Sequence, residues 1–286
     1  MTTTTSSFLQ VTQNLPRMQA MTSAEPAVKS AATYYAANIG SVKSIDDLVG
    51  NYRLLSYALA SQGLSDQINS TALIKQVLAG GVTDPKSLAN TLGDPRWKAF
   101  AAAFDFVGKG AASLSTPSAV ATTSADYVEQ QLETDEGQQN VGVQLALYFQ
   151  RVAPTITDSY GLLGDKNLLQ VVQTIFGLSP ASSASDIDAQ AATIAKLVPM
   201  TDLADPAKVT QLTERFTAMY DLVYGASSGA STSLSTSNGG GATPDAATTV
   251  LSGVVSANAA NLASGAASGS FSESLLTSLQ GFHLGG

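Results

Sequence analysis

Apolar and polar positions along the chain follow the period of an α-helix, and one stretch of this pattern occurs twice. Residues Tyr34 to Ser65 align without a gap on Tyr148 to Ser179, an offset of 148 − 34 = 114 residues. The aligned positions share apolar residues, glycines and helix caps but little polar chemistry, which is typical of a duplicated packing unit. The sequence therefore predicts an all-α body with two related halves. The identities in register include Tyr34/Tyr148, Leu48/Leu162, Leu54/Leu168, Leu55/Leu169, Gly63/Gly177, Leu64/Leu178 and Ser65/Ser179.

Capping residues predict where the helices begin. Ser44 followed by Asp46 and Asp47 is an N-cap with acids in the first turn, where the helix dipole favours negative charge. Asp-Pro pairs predict further starts, because Asp accepts hydrogen bonds from first-turn amides and Pro lacks the N–H that would go unused there. These pairs are Asp84-Pro85, Asp94-Pro95 and Asp205-Pro206, of which the first and third are aligned as counterparts in the two copies. Helical spacing behind these starts predicts core positions at Trp97, Phe100, Phe104, Phe216, Met219 and Val223.

Composition divides the chain into six segments. The first is rich in Thr and Ser and is predicted to be extended or disordered in the isolated protein. The fifth is a Gly/Ser/Thr linker of low complexity that is too polar to pack. The segments are the disordered N-terminus (1–22), helical repeat 1 (23–112), a linker (113–124), helical repeat 2 (125–225) entered by a long helix (126–151), the Gly/Ser/Thr linker (226–244) and an amphipathic helical tail (245–286).

Two apolar clusters lie outside the repeats. The tail has a narrow apolar stripe and no domain of its own in which to bury it, so its expected use is packing against a partner helix, either in the body or in another copy of the chain. A short cluster in the N-terminal segment is assigned the same role. The candidate partner-packing residues are Phe8, Leu9, Val11, Val250, Leu251, Val254, Val255, Leu262, Phe271, Leu275, Leu279 and Phe282.

Charge and cysteine content exclude several classes of function. The net charge is −8 with no basic patch, which argues against nucleic acid or an anionic membrane as the main partner. The chain has no cysteine, which excludes disulfides, thiolate metal sites and cysteine nucleophiles. The N-terminus lacks the basic and apolar regions of a cleavable secretory signal. No stretch approaches the ~18 uninterrupted apolar residues of a membrane span.

Candidate chemistry is sparse, and no cofactor or metal is predicted. His283 is the only histidine and lies near the C-terminus, a poor place to hold catalytic geometry. The cluster of Glu129, Glu133, Asp135 and Glu136 allows a calcium or acid/base site, but a solvated helix face is favoured. Asp186 and Asp188 are interpreted as acids at a helix start in preference to metal ligands. The aromatic pairs Tyr34-Tyr35 and Tyr148-Phe149 are interpreted as core residues in preference to a ligand-binding platform.

A set of short motifs occurs over residues 25 to 225: Gly63-Leu64, Asp84-Pro85, Leu92-Gly93-Asp94, Phe104, Arg151-Val152-Ala153, Gly177-Leu178 and Asp205-Pro206. With these motifs, the segment resembles a family of unknown function whose genes lie beside flagellar basal-body and hook genes in alphaproteobacteria. The resemblance implies a link to the flagellum and carries over no catalytic residue.

The resemblance and the composition together favour a non-enzymatic structural or assembly protein of the flagellum. Its expected partners are itself and other flagellar proteins, reached through the terminal segments after export without a cleaved signal. The alternative is a cytoplasmic flagellar chaperone or regulator that binds a client through the C-terminal helix. An enzyme on a helical scaffold is the third and least favoured hypothesis, because no nucleophile, base and orienting group can be placed together.

Overall fold

The structure is a computed structural model that describes residues 3–179 and 186–224. Within these ranges all regular structure is helical and no strand occurs, which confirms the all-α prediction. The α-helices are α1 (Thr4–Gln13), α2 (Leu15–Ala24), α3 (Pro26–Asn38), α4 (Ile45–Gly50), α5 (Tyr52–Ser61), α6 (Thr71–Gly80), α7 (Leu88–Thr91), α8 (Pro95–Ala103), α9 (Pro117–Gln139), α10 (Val141–Val152), α11 (Ser159–Gly164), α12 (Lys166–Phe176), α13 (Ile187–Leu197), α14 (Met200–Leu203) and α15 (Pro206–Tyr224).

The duplicated pattern folds into two sets of three helices with matching ends. Shifting α3, α4 and α5 by 114 residues reproduces the bounds of α10, α11 and α12 to within one residue. The caps also correspond, because Asn51 accepts a hydrogen bond from the Leu54 amide and Asp165 accepts one from the Leu168 amide. Each cap residue also bonds the tyrosine of its own half, Tyr34 or Tyr148.

The correspondence continues through α6, α7 and α8 in one half and α13, α14 and α15 in the other. Asp94 accepts a hydrogen bond from the Arg96 amide at 3.0 Å, and Asp205 accepts one from the Ala207 amide at 2.9 Å. The prediction that Asp84-Pro85 begins a helix is wrong. That pair lies in a turn, where Asp84 accepts a hydrogen bond from the Lys86 amide, and the next helix begins at Leu88. Asp94 is therefore the counterpart of Asp205.

Each half has its own hydrophobic core. The predicted core positions Trp97, Phe100 and Phe104 are buried in the first core and Phe216 in the second. Val223 is an incorrect prediction, because it lies in the last turn of α15 and is 37% exposed. The first core includes Tyr35, Ile39, Leu48, Leu54, Leu55, Leu59, Leu64, Ile74, Val77 and Leu78, and the second includes Tyr148, Phe149, Leu162, Leu168, Val171, Val172, Ile175 and Leu203.

The described part of the N-terminal segment is helical, so the prediction of an extended or disordered segment over 1–22 is wrong there. Helix α1 packs against α10 and α15 and places Phe8 and Val11 in the second core. At its first turn the Thr4 amide donates to both carboxylate oxygens of Asp221, at 3.0 and 2.9 Å. Helix α2 follows and packs against α9 and α3.

The predicted linker over 113–124 is also mostly helical. Thr116 caps the first turn of α9 by accepting a hydrogen bond from the Ala119 amide, and Pro117 occupies the first helical position. The long helix predicted from Asp126 to Arg151 is interrupted at Asn140, whose backbone is extended (φ −153°, ψ 107°) and whose side chain caps α10. Helix α9 packs against both α5 and α10 and so joins the two halves.

The predicted linker 226–244 and tail 245–286 lie outside the described residues, as do Val250, Leu251, Val254, Val255, Leu262, Phe271, Leu275, Leu279, Phe282 and His283. Of the helices that the structure describes, none combines the length and the apolar character needed to cross a membrane.

Helix α1 gives a first prediction about stability. Phe8 is 2% exposed, and Phe8→Ala is expected to lower the free energy of unfolding by about 3 kcal/mol, because it leaves a cavity between α10 and α15. Leu9 is only partly buried against the same core, and Leu9→Ala is expected to cost about 1 kcal/mol. Urea unfolding followed by circular dichroism measures both. Equal small losses would mean that α1 is not part of the folded body in solution.

Candidate functional site

A buried polar cluster lies where the two halves meet. Arg96 on the first turn of α8 comes from the first half, and Tyr148 on α10 and Asp165 at the start of α12 come from the second. The Tyr148 hydroxyl donates to Oδ2 of Asp165, and Nε of Arg96 lies 3.6 Å from the same oxygen. Asp165 is 1% exposed, so this carboxylate is enclosed by protein groups.

The guanidinium of Arg96 is held by its own half. Its Nη2 donates to Oδ2 of Asp94 at 2.7 Å, and its Nη1 donates to the Gly63 carbonyl oxygen at 2.7 Å. Burial opposes the charged form, but the hydrogen bonds and charge of Asp94 outweigh it, so the pKa of Arg96 is raised. The arginine therefore reaches Asp165 as a fixed cation, oriented by the residue that also caps its helix.

Two glycines let the backbones of the halves come together beside this cluster. Gly93 precedes the cap residue Asp94, and Gly164 precedes the cap residue Asp165. A Cβ at Gly164 would lie closer than 3.0 Å to the carbonyl carbon and oxygen of Gly93. The counterpart of Gly164 in the first half is Gly50, where a Cβ would meet nothing within 4 Å.

A second buried pair joins α9 to α10. Nε of Arg151 donates to Oε1 of Glu133 at 2.7 Å, and Nη2 donates to Oε2 at 3.1 Å. Glu133 is 4% exposed, so the prediction of a solvated helix face is wrong for this residue. Burial raises the pKa of Glu133 to about 7, while Arg151 acts in the opposite direction.

A small cavity of about 270 Å³ opens beside Glu133 and Arg151. Its walls are partly apolar, with Leu132 of α9 and Leu147 of α10. Burial raises the pKa of Glu129, a further carboxylate on the cavity wall. In residues 3–179 and 186–224, no three His, Cys, Asp or Glu side chains are grouped as ligands for a metal ion.

The arrangement is suited to holding the halves together. Burial, followed by the charge of Asp165, raises the pKa of Tyr148, so its hydroxyl stays protonated and continues to donate. Asp165 accepts hydrogen bonds from Tyr148, from the Asn167 amide at 2.7 Å and from the Leu168 amide at 3.2 Å. A buried polar network whose members are satisfied in this way fixes one relative position of the parts that it joins.

The first half carries an equivalent tyrosine–cap pair that is partly exposed among the described residues. Tyr34 and Asn51 form the corresponding pair, with Nδ2 of Asn51 donating to the tyrosine oxygen at 3.3 Å. Arg53, from the same half, lies over the Tyr34 ring at 3.6 Å from its centroid. Next to them is a shallow depression of about 500 Å³, lined by residues that include Lys29, Thr33 and Arg53.

The N-terminal candidate partner-packing residues pack against helices of the body. Phe8 and Val11 are buried in the second core, and Leu9 packs against it. The preference for core aromatics is confirmed at Tyr35, Tyr148 and Phe149, which are buried. Asp186 caps α13 by accepting hydrogen bonds from the amides of Asp188 and Ala189, which confirms the helix-start interpretation.

Comparison with known families gives a match over residues 61–209, to the model described as protein of unknown function (DUF1217). The chain belongs to the DUF1217 family. The match spans Gly63, Gly93, Arg96 and Tyr148 and continues past Asp165, so the whole junction between the halves lies in the DUF1217 region. It also spans Glu133 and Arg151.

The chain is also similar to a solved structure. The X-ray crystal structure of protein AGR_C_984 from Agrobacterium tumefaciens is 41% identical to this DUF1217 chain, with a TM-score of 0.70. The similarity covers 76% of this chain and 92% of the Agrobacterium chain. A comparison with curated proteins found no significant match.

Glu133 links the stability of this DUF1217 body to pH. Because its folded pKa is raised from 4.5 to about 7, the folded state binds a proton that the unfolded state releases in this window. Its stabilising contribution is full below pH 4.5 and is lost as the pH rises to about 7, with an upper size on the order of 3 kcal/mol. The free energy of unfolding, measured by urea denaturation at a series of pH values, is expected to change less steeply in Glu133→Gln. Glu214→Gln on the exposed side of α15 is the control, and parallel curves for wild type and Glu133→Gln would contradict the prediction.

Proposed function

We propose that the protein is a non-enzymatic structural or assembly component of the flagellum. The observation that supports this proposal is that the buried polar groups form their bonds within the body. Arg96, Tyr148 and Asp165 bond to one another or to backbone groups of the body, so the strongest polar constellation joins the two halves. Such an arrangement supports a rigid helical unit that presents its surfaces to other proteins.

The flagellar context rests on the resemblance to a family encoded beside basal-body and hook genes. The composition is compatible with it: the chain has no cysteine, a net charge of −8 and a low fraction of charged residues. The proposed partners are other flagellar subunits and further copies of this chain. Because Phe8 and Val11 are already buried in the body, the terminal contact is assigned to the apolar stripe within residues 245–286.

Cell fractionation tests the proposal. Tagged full-length protein is expected to copurify with hook-basal bodies or filaments from a motile alphaproteobacterium that encodes it. A variant ending at Tyr224 keeps the described body and lacks the predicted tail, and it is expected to fold but to be lost from these particles. Full-length protein confined to the cytosol and absent from purified flagellar particles would contradict the structural role.

A cytoplasmic flagellar chaperone or regulator is the second candidate, with the same apolar stripe as the client-binding element. It predicts a soluble complex of the full-length chain with one flagellar client, and no chain in the assembled particle. Purification from the cytosol, with the client identified by mass spectrometry, separates this function from the first.

A further inference from the structure

The cavity beside Glu133 and Arg151 has an amphipathic wall. It lies where the end of α1 and the start of α2 meet α9 and α10. Leu15, Leu132 and Leu147 form its apolar part. Its volume of about 270 Å³ falls just below the roughly 300–1,000 Å³ of pockets that hold drug-sized ligands, so its size suits a smaller organic molecule.

Glu129 brings to this wall a partly buried carboxylate that has no bonding partner in the described part of the chain. It forms no hydrogen bond or ion pair there, because the nearby guanidinium of Arg151 is already engaged. Glu133 binds that guanidinium through both carboxylate oxygens, and the side-chain amide of Gln130 also lies within hydrogen-bond distance of it. Burial raises the pKa of Glu129, and the negative charge of Asp126 acts in the same direction. A bound cation would offset the cost of burying this carboxylate without a partner.

The hydrogen-bonding groups that remain free on the wall are acceptors. The Thr12 hydroxyl donates to the Phe8 carbonyl oxygen at 3.0 Å inside α1, so its oxygen is left to accept. Gln150 also lines the cavity, and its amide has an oxygen that can accept. A primary ammonium group has three N–H donors and no acceptor, and it therefore matches the free groups of this wall.

Other classes of ligand fit this wall less well. A quaternary ammonium ion has no N–H group and is typically bound by aromatic faces, whereas no aromatic residue is among the described residues that line the cavity. A metal ion needs several grouped oxygen ligands, and the described ranges hold no group of three suitable side chains. An anion would face Glu129 and would have to displace Glu133 from Arg151.

We propose that this cavity binds a free, small aliphatic primary amine. The ammonium group donates to the Glu129 carboxylate and to Oγ1 of Thr12, and the carbon chain lies against Leu15, Leu132 and Leu147. Because Thr12 belongs to α1 and Glu129 to α9, the bound amine bridges the N-terminal helix and the helix that joins the two halves. The site does not depend on the flagellar role, and it is tested separately.

An NMR titration of the full-length protein with n-butylamine tests the site. At about pH 8 an alkylamine carries its proton, as a lysine side chain does. Saturable shifts are expected in the amide signals of residues 129–133 and 147–151, with a dissociation constant in the millimolar range. Butyrate and n-butanol have the same carbon chain without the cation, and tetramethylammonium has the charge without N–H donors. None of these three compounds is expected to produce the shifts.

Three variants assign the binding to the proposed contacts. Glu129→Gln is expected to weaken n-butylamine binding at least about tenfold, because the ammonium group loses its charged partner. Thr12→Val keeps the shape of the side chain and removes the acceptor, so binding is expected to weaken about threefold. Glu136→Gln is the matched control, because it removes the same charge from the same helix at a position that does not line the cavity. A helical circular dichroism spectrum and a cooperative unfolding transition establish that each variant folds.

Several results would overturn the proposal. These are an absence of saturable shifts with n-butylamine, equal shifts with n-butanol or tetramethylammonium, equal affinity of Glu129→Gln and wild type, and equal losses in Glu129→Gln and Glu136→Gln. A lysine derivative with amide groups at both backbone ends tests the source of the amine. It is expected to bind more weakly than n-butylamine, because its amide groups would lose water beside an apolar wall. Tighter binding of this derivative would overturn the assignment to a free amine and indicate a lysine side chain of a partner protein.

Discussion

Gly164→Ala is expected to destabilise the folded chain by about 3 kcal/mol, because overpacking at a close backbone contact forces the surrounding structure to shift. The added Cβ would lie closer than 3.0 Å to the carbonyl group of Gly93, and neither partner is a flexible side chain that could move aside. The two turns that carry the caps Asp94 and Asp165 must then separate. The loss is therefore expected in the contact between the halves as well as in overall stability.

Gly50→Ala is the matched control, since Gly50 occupies the same position in the first half. Its Cβ would meet nothing within 4 Å, and Ala is favoured over Gly within a helix, so a gain of up to about 1 kcal/mol is expected. Urea unfolding of both variants, followed by circular dichroism, measures the difference. Similar effects at the two positions would show that the halves do not approach each other at Gly164.

Arg96→Met is expected to lower the free energy of unfolding by about 4 kcal/mol, because removing one partner of a buried ion pair leaves uncompensated charge. Asp165, which is buried, and Asp94, which is partly buried, would both lose their cation. The Gly63 carbonyl oxygen would also lose its hydrogen bond from Arg96. Met preserves much of the length of the side chain, so the measured loss reports mainly charge and hydrogen bonding.

The control for this change is Arg53→Met in the first half. Arg53 is exposed and contacts the ring of Tyr34, an interaction that contributes about 0.5–1 kcal/mol at such sites. Adding Asp165→Asn to Arg96→Met is expected to restore part of the lost stability, since Asn at the equivalent position 51 already caps α5 without a charge. Equal losses for the two arginine variants, or no recovery in the double variant, would contradict this account.

The repeated body could be predicted because its signals are local. Ser44 and Asp47 form the expected capping box, and the Asp94-Pro95 and Asp205-Pro206 pairs begin helices as their chemistry requires. Apolar spacing identified Phe100 and Phe216 as core residues. Over residues 34–65 and 148–179, the constant offset of 114 residues also related each position of one copy to a position of the other. The predicted helix start at Asp84-Pro85 was wrong because an Asp side-chain oxygen accepts backbone hydrogen bonds in turns as well as at helix N-caps.

The junction and the N-terminal helix could not be predicted, because both depend on contacts between distant parts of the chain. The pattern of charges along one helix cannot show that Glu133 pairs with Arg151 of another helix, so it predicts that Glu133 is exposed to solvent like its neighbouring acids. Phe8 and Val11 lie in a Thr- and Ser-rich segment whose own apolar content is too small to predict burial. Their helix is stabilised by surface that α10 and α15 supply more than a hundred residues later. The paired glycines carried a usable signal, since Gly93 and Gly164 each precede an Asp cap.

The position of α1 sets an order on how the protein is made. Helix α1 leaves the ribosome first, yet the groove that receives Phe8 is complete only after α15 has been synthesised. The buried residues of the first core all come from the first half, whereas the second core combines α1 with helices that follow it by more than a hundred residues. The hydrogen bonds from Thr4 to Asp221 join the first described helix to the last, so the second core is complete only when both helices are present.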